Sequence, residues 1–228
     1  MPMVERKYKV LTIFDAAGIP GAGLAPHAAN ALGLQSNLLN GSVFALDQGS
    51  GTGERIGNTI TNCTLNLRGY IQTNLTGPAT LFPFEVHVLA FKKKNDPSGD
   101  TTEIIKTPGE AVGPITYQIR DTLMPFNRAT YIIKRHRVFR MSPAPSDGND
   151  EMNSQTSRAP ILRRFAMNIP IAKTLRYDNA SNALGFKDPN NDWVSFCAYV
   201  IAGNGQSYAH TQQLAKIYLD ARYTWTDQ

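Results

Sequence analysis

Hydrophobic and polar positions alternate along most of this chain, with a period of two. Cys63, Leu65, Leu67 and Ile71 fall on one side of a stretch whose other side carries Thr64, Asn66, Arg68 and Tyr70. Phe82, Phe84, Val86, Val88 and Ala90 repeat the pattern opposite Glu85 and His87. Phe165, Met167, Ile169, Ile171, Leu175 and Tyr177 form the clearest run, backed by Arg164, Asn168, Thr174 and Arg176. Further on, Ala215, Ile217, Leu219, Ala221, Tyr223 and Trp225 alternate with Lys216, Asp220 and Arg222. Successive side chains of a strand point to opposite faces, so each run predicts a half-buried strand of an antiparallel sheet. Residues 193–202 are apolar on both faces and predict a central strand.

Turn chemistry separates these runs. Asn95–Asp100, Thr107–Gly109, Ser142–Arg158, Asp188–Asn191 and Gly203–Gly205 break the alternation with Gly, Pro, Asn, Asp and Ser. Long connections between sandwich strands carry surface contacts or function. Only Pro26–Leu39 has a helical pattern, and a weak one. The sequence therefore predicts an all-β chain: a single eight-stranded antiparallel jelly-roll sandwich with long surface loops. It divides into residues 1–38, a short basic start followed by the weak helix, and residues 39–228, the jelly roll.

Composition agrees with that reading. An apolar share of 42% supplies a core, and 18 Gly with 14 Pro argue against a helical bundle or coiled coil. No apolar run reaches the length of a membrane span, so no membrane insertion is expected. Met1–Val10 is charged and lacks the apolar stretch of a secretory signal.

The net charge of +5 is local. Arg128 to Arg176 holds ten Lys/Arg against three Asp/Glu, a balance of +7, which leaves −2 for the rest. Lys134, Arg135, His136, Arg137 and Arg140 sit inside an otherwise apolar strand, Tyr131–Met141. Basic side chains on both faces cannot all be buried, so one face must meet water, another chain or phosphate. Arg163 and Arg164 open the next strand, and Arg6, Lys7 and Lys9 add charge near the start. Arginine suits phosphate because its planar fork donates paired hydrogen bonds. No RNP-type aromatic motif or zinc finger accompanies these residues, which favours contact with the backbone of a nucleic acid over base readout.

Other candidate chemistry is thin. Gly49–Gly53 resembles a phosphate loop superficially, but a strand follows it where a dinucleotide loop needs a helix. His27, His87, His136 and His210 are scattered without metal-ligand spacing. Cys63 and Cys197 lie in apolar stretches and read as small buried hydrophobes. Asp147, Asp150 and Glu151 read as solvated loop charges. No catalytic residue, metal ligand or cofactor is expected, and the chain does not read as an enzyme.

Gln48-Gly49-Ser50-Gly51-Thr52-Gly53-Glu54-Arg55-Ile56-Gly57-Asn58-Thr59-Ile60 resembles the entry to the first long strand in capsid proteins of circular single-stranded DNA viruses, circovirus-like ones above all. Arg128–Ser142 is similar to that family's basic-aromatic middle strand, and Arg164–Tyr177 to its Phe-x-x-x-Ile-x-Ile strand. Trp193–Val200 and Tyr218–Asp227 resemble its last two strands, so the likeness covers residues 39–228. The resemblance implies a self-assembling subunit of a small icosahedral T=1 shell of about sixty copies. Basic residues facing inward would hold packaged single-stranded DNA, replication being left to a separate protein. It also implies a virion location, assembly in the host nucleus or cytoplasm, and a host-cell receptor of unspecified kind. That family starts with a long Arg-rich arm. The short start here shifts the expected phosphate contacts onto Lys134, Arg135, Arg137, Arg140, Arg163 and Arg164. Leu123, Met124 and Phe126, apolar residues in a loop, are expected either at subunit interfaces or packed under that loop.

Two alternatives fit the same pattern. One is a β-sandwich binding module, lectin-like or nucleic-acid-binding, in which Trp193 and Trp225 stack on ligand, although both suit core positions better. The other is an RNA-packaging satellite-type shell, because RNA presents the same phosphates.

Overall fold

The computed structural model describes residues 5–20, 34–37, 45–73, 83–94, 126–141, 161–177, 194–202 and 213–227. They hold eight strands: β1 (Arg6–Pro20), β2 (Leu34–Asn37), β3 (Thr59–Thr73), β4 (Phe84–Lys93), β5 (Tyr131–Met141), β6 (Leu162–Arg176), β7 (Ser195–Ala202) and β8 (Gln213–Asp227). The expected turn stretches between 95 and 109, 142 and 158, 188 and 191, and 203 and 205 lie outside the described residues, as do Leu123, Met124 and Trp193.

The strands form two four-stranded sheets, in the orders β1-β8-β3-β6 and β2-β7-β4-β5. Within them β1 pairs with β8, β2 with β7, β3 with β6 and β4 with β5, all antiparallel. The pairs are nested, as though one long hairpin had been rolled up, and this nesting defines a jelly roll. The expected fold class holds.

Two expectations near the start of the chain do not hold. Leu34–Asn37, inside the weakly helical stretch, is a strand paired with β7. β1 and β2 belong to the two sheets, so the roll takes in Arg6 onward and the boundary at residue 38 divides nothing. β1 escaped the period-two reading because register shifts between Thr12 and Phe14 and between Phe14 and Ala17 break its alternation, with Ala16 at a φ of 52°. In β3 the same device is legible. Asn62 takes a φ of 53°, and the bulge turns both Ile60 and Cys63 toward the core although they are three positions apart.

The alternating residues meet between the sheets. Ile60, Leu65, Leu67 and Ile71 of β3 pack with Phe165, Met167 and Ile169 of β6 and with Ile217, Leu219 and Tyr223 of β8. Val86, Val88, Phe196, Ala198 and Val200 close the core from the other sheet. Gly69 of β3 leaves no room for a side chain between β8 and the core. A Cβ there would collide with the carbonyl oxygen of Tyr218 and press on the Phe165 ring, about 3.0 Å away.

β7 is buried on both faces, as expected of a central strand. Its outer face joins Leu89, Phe91 and Tyr131 in a second apolar cluster through Cys197, Tyr199 and Ile201. The second face of β4, expected to be exposed, is covered too: Glu85 is 8% and His87 3% exposed. Both cysteines are free and buried; burial pushes the Cys63 thiol up to about 11 and raises that of Cys197 further. Among the described residues no helix is long and apolar enough to cross a membrane.

Candidate nucleic-acid interface

The loop before β3 shows how the Arg-Ile-Gly motif acts. Gly49 donates to the Arg55 carbonyl at 2.9 Å and Arg55 to the Asp47 carbonyl at 2.9 Å, closing the loop on itself. The Glu54 carboxylate accepts from the Gly51 N–H at 2.9 Å. This loop therefore offers its donor to its own carboxylate rather than to a phosphate. Arg55 is buried, donates to the Gly57 carbonyl at 2.6 Å and to Asn58 Oδ1 at 3.0 Å, and lies 4.8 Å over the Tyr177 ring. It joins the strand entry to the end of β6.

The expected N-terminal cations separate by strand parity. Arg6 is exposed, but Lys7 points inward at 0% exposure. Lys7 Nζ sits 3.1 Å from Asp227 Oδ2 and donates to the Glu54 carbonyl at 3.1 Å. Lys9 is half-buried and donates to the Ala45 carbonyl at 2.6 Å. Neither Lys7 nor Lys9 is a free phosphate contact. Both tie β1 to the loop before β3.

Among the described strands β5 lies at the edge of its sheet, which is how it carries so many cations. Opposite β4, Arg135 and Arg137 have the parity of the core-facing Ala90 and Val88, but at the open edge both reach solvent. Arg135 Nε donates to the Asn168 carbonyl of β6 at 3.1 Å, so its guanidinium crosses from one sheet to the other. Lys134 is half-buried beside the register shift between Ala90 and Phe91. Arg140 lies on the other face and pairs with Glu85 through Nε at 2.9 Å, so its charge is already answered. Arg163 and Arg164 are exposed on opposite faces, across from Ile71 and Tyr70 respectively.

Phe126 is half-buried, edge-on to His136 at 4.9 Å, and packs on the second apolar cluster. It therefore makes the packing contacts within the subunit that one of its two readings expected. The exposed large apolar side chains among the described residues are instead Tyr8, Val10, Ile56, Ile132, Val138 and Leu162.

The histidines are not all scattered. Pairing of β4 with β5 brings His87 and His136 together, with Nδ1 and Nε2 3.1 Å apart. His87 also stacks on Tyr199 at 4.9 Å and approaches Glu85 Oε2 at 3.5 Å. Burial, then the His136 ring, pushes His87 down to about 3; burial also lowers His136.

The sequence reading missed the outward face of β1-β8-β3-β6. The registers place Arg222 opposite both Val10 and Asn66, Arg68 opposite Asp220, and Tyr218 opposite Tyr70. Arg6, Tyr8, Asn66, Arg68, Arg222 and Thr224 line a shallow depression of about 380 Å³ there. A second open cleft, of about 720 Å³, is shared by Asn66 and Arg68 with Arg135, Arg137 and Asn168. A band of cations thus runs across the sheet and around its edge. It joins Arg6, Arg135 and Arg137, which were expected, to Arg68 and Arg222, which were not.

No family model and no curated protein matches this chain. Among solved structures, a chain of Desmodium yellow mottle tymovirus aligns over 100% of this chain and 89% of its own, at 12% identity and a TM-score of 0.35. A chain from a cryo-EM structure of Mud crab tombus-like virus aligns over 100% of this chain and 92% of its own, at 14% identity and a TM-score of 0.31. Likenesses at these TM-scores add no weight to the fold, which stands on its own strand order.

Proposed function

We propose that this chain is a viral capsid subunit, structural rather than catalytic, whose copies close into a shell around single-stranded nucleic acid. The observation that carries the reading is the nested pairing of eight strands into two four-stranded sheets, the roll found in capsid and lectin domains. The sequence resemblance to capsid proteins of circular single-stranded DNA viruses extends it: a T=1 shell of about sixty copies, a circular DNA genome, a virion location, and assembly in the host nucleus or cytoplasm. The cation band supports the polyanion half of the proposal, because basic side chains held together along adjoining strands of the two sheets attract phosphate without reading sequence.

Particle size tests it. About sixty subunits of 25.1 kDa give roughly 1.5 MDa, visible by light scattering and negative-stain imaging. Uniform shells whose contents are destroyed by DNase and survive RNase after disassembly are expected. RNase-sensitive contents would transfer the reading to an RNA-packaging shell. A stable monomer or small oligomer across salt and pH would overturn the capsid reading in favour of a binding module.

A further inference from the structure

The outward face of β1-β8-β3-β6 carries more than charge. The Arg222 guanidinium lies 4.5 Å over the Tyr8 ring, and Tyr8 is 43% exposed. Four residues along β8, Tyr218 stacks on Tyr70 of β3, with ring centroids 4.2 Å apart and planes 18° from parallel. Arg68 lies between the two aromatic groups, opposite Asp220, whose carboxylate already accepts from Thr12 Oγ1 at 2.8 Å. Tyrosines paired on an open sheet face, with arginines beside them, present π-faces and phosphate donors together.

We propose that this face binds single-stranded nucleic acid by stacking bases on Tyr8 and on the Tyr70–Tyr218 pair while Arg6, Arg68 and Arg222 hold phosphates. The proposal deepens the shell reading and rests on it. From Arg222 to Tyr218 the strand advances about 13 Å, a length that a few nucleotides of a single strand span. An open sheet face with exposed aromatic rings accepts the unstacked bases of a single strand, which a duplex keeps paired and stacked. Among the described residues the exposed aliphatic side chains on this face, Val10 and Leu162, sit at opposite edge strands and form no continuous wedge for a lipid surface.

The test uses fluorescence anisotropy with a fluorescein-labelled oligo(dT) of about sixteen nucleotides, and an abasic strand of equal length. Tyr70→Ala, Tyr218→Ala and Tyr8→Ala are each expected to weaken oligo(dT) at least about fivefold, leaving the abasic strand unchanged. Arg68→Gln with Arg222→Gln is expected to lower the salt slope for both probes by about 1.4. Circular dichroism of each variant checks the fold, and Tyr70→Phe, which keeps the ring, is expected to bind as the parent does. Equal binding of the two probes by the parent, or tyrosine variants that bind oligo(dT) undiminished, would overturn the stacking track. Particle sizing is read separately. Shells that form while the track test fails leave the capsid reading standing. Failure to form shells removes that reading, and the oligonucleotide titration still decides the track.

Discussion

Lys7 was expected to touch nucleic acid, and the structure buries it, so its replacement separates the two roles. Lys7 Nζ and Asp227 Oδ2 are 3.1 Å apart with side chains 0% and 5% exposed. At that distance two unit charges attract by about 5 kcal/mol at an effective dielectric constant of ~20. Lys7→Met removes the cation and leaves the Asp227 carboxylate buried, supported there by the Ile56 N–H at 3.3 Å. Breaking one side of a buried pair costs about 3–5 kcal/mol, because the remaining charge stays uncompensated. Removing that charge as well, in Lys7→Met with Asp227→Asn, is expected to recover about half of the loss. The assay is urea unfolding followed by the emission of buried Trp225, two positions from Asp227, at one fixed protein concentration since assembly stabilises by mass action. The salt slope of oligo(dT) binding is measured alongside and is expected to be unchanged. A single variant that loses less than about 1 kcal/mol, together with a salt slope lowered by about 0.7 as for the loss of one phosphate contact, would refute the structural assignment and return Lys7 to the binding face.

Two further outcomes follow from the core. His87 has a folded value near 3 against an ordinary 6.5, so between those limits the unfolded chain binds the extra proton and stability falls as pH falls. From pH 7 to pH 5 the loss from His87 alone is about 2 kcal/mol, with Glu85, His136 and Tyr199 as its neighbours and Arg140 answering Glu85. Unfolding of His87→Phe should show a flatter pH dependence, and an equal slope in the variant would count against the buried-imidazole account. Gly69→Ala forces a Cβ against the Tyr218 carbonyl and the Phe165 ring. It should cost about 1–3 kcal/mol in urea unfolding, the usual range for overpacking, and a neutral result would mean that β3 and β8 part without cost.

The parts of the fold that were legible are those where alternation runs unbroken. β6 and β8 show their buried rows in the sequence because few irregularities disturb their core-facing positions, and β7 shows two apolar faces because both are covered. β1 was hidden by its register shifts, and β2 by being only four residues long. The candidate site was harder to read for a topological reason. Arg68 and Tyr70 were legible as outward positions of one run, and Lys216 and Arg222 as outward positions of another. That the two rows share one surface depends on β3 pairing with β8, which no local pattern encodes. Lys7 was misread for the same reason: its partner Asp227 lies at the other end of the chain. His87 and His136 looked isolated because strand pairing, and not sequence spacing, brings them together.

The nested pairing sets an order in time as well as in space. Among the described strands β1 pairs only with β8, and β8 begins at Gln213. At about 5–20 residues per second of synthesis, β1 waits about 10 to 40 s for the strand that completes it. During that interval the edges of β1 and β3 that will receive β8 stay open, where β8 of another copy can be captured in its place. A ribosome that stops before Gln213 releases a chain in which neither edge can be closed, and such a chain has an aggregating surface instead of a sandwich. The sandwich closes only once β8 has been made, so any structure built from folded copies admits products that include β8 and leaves those that stop before it to the cell's proteases.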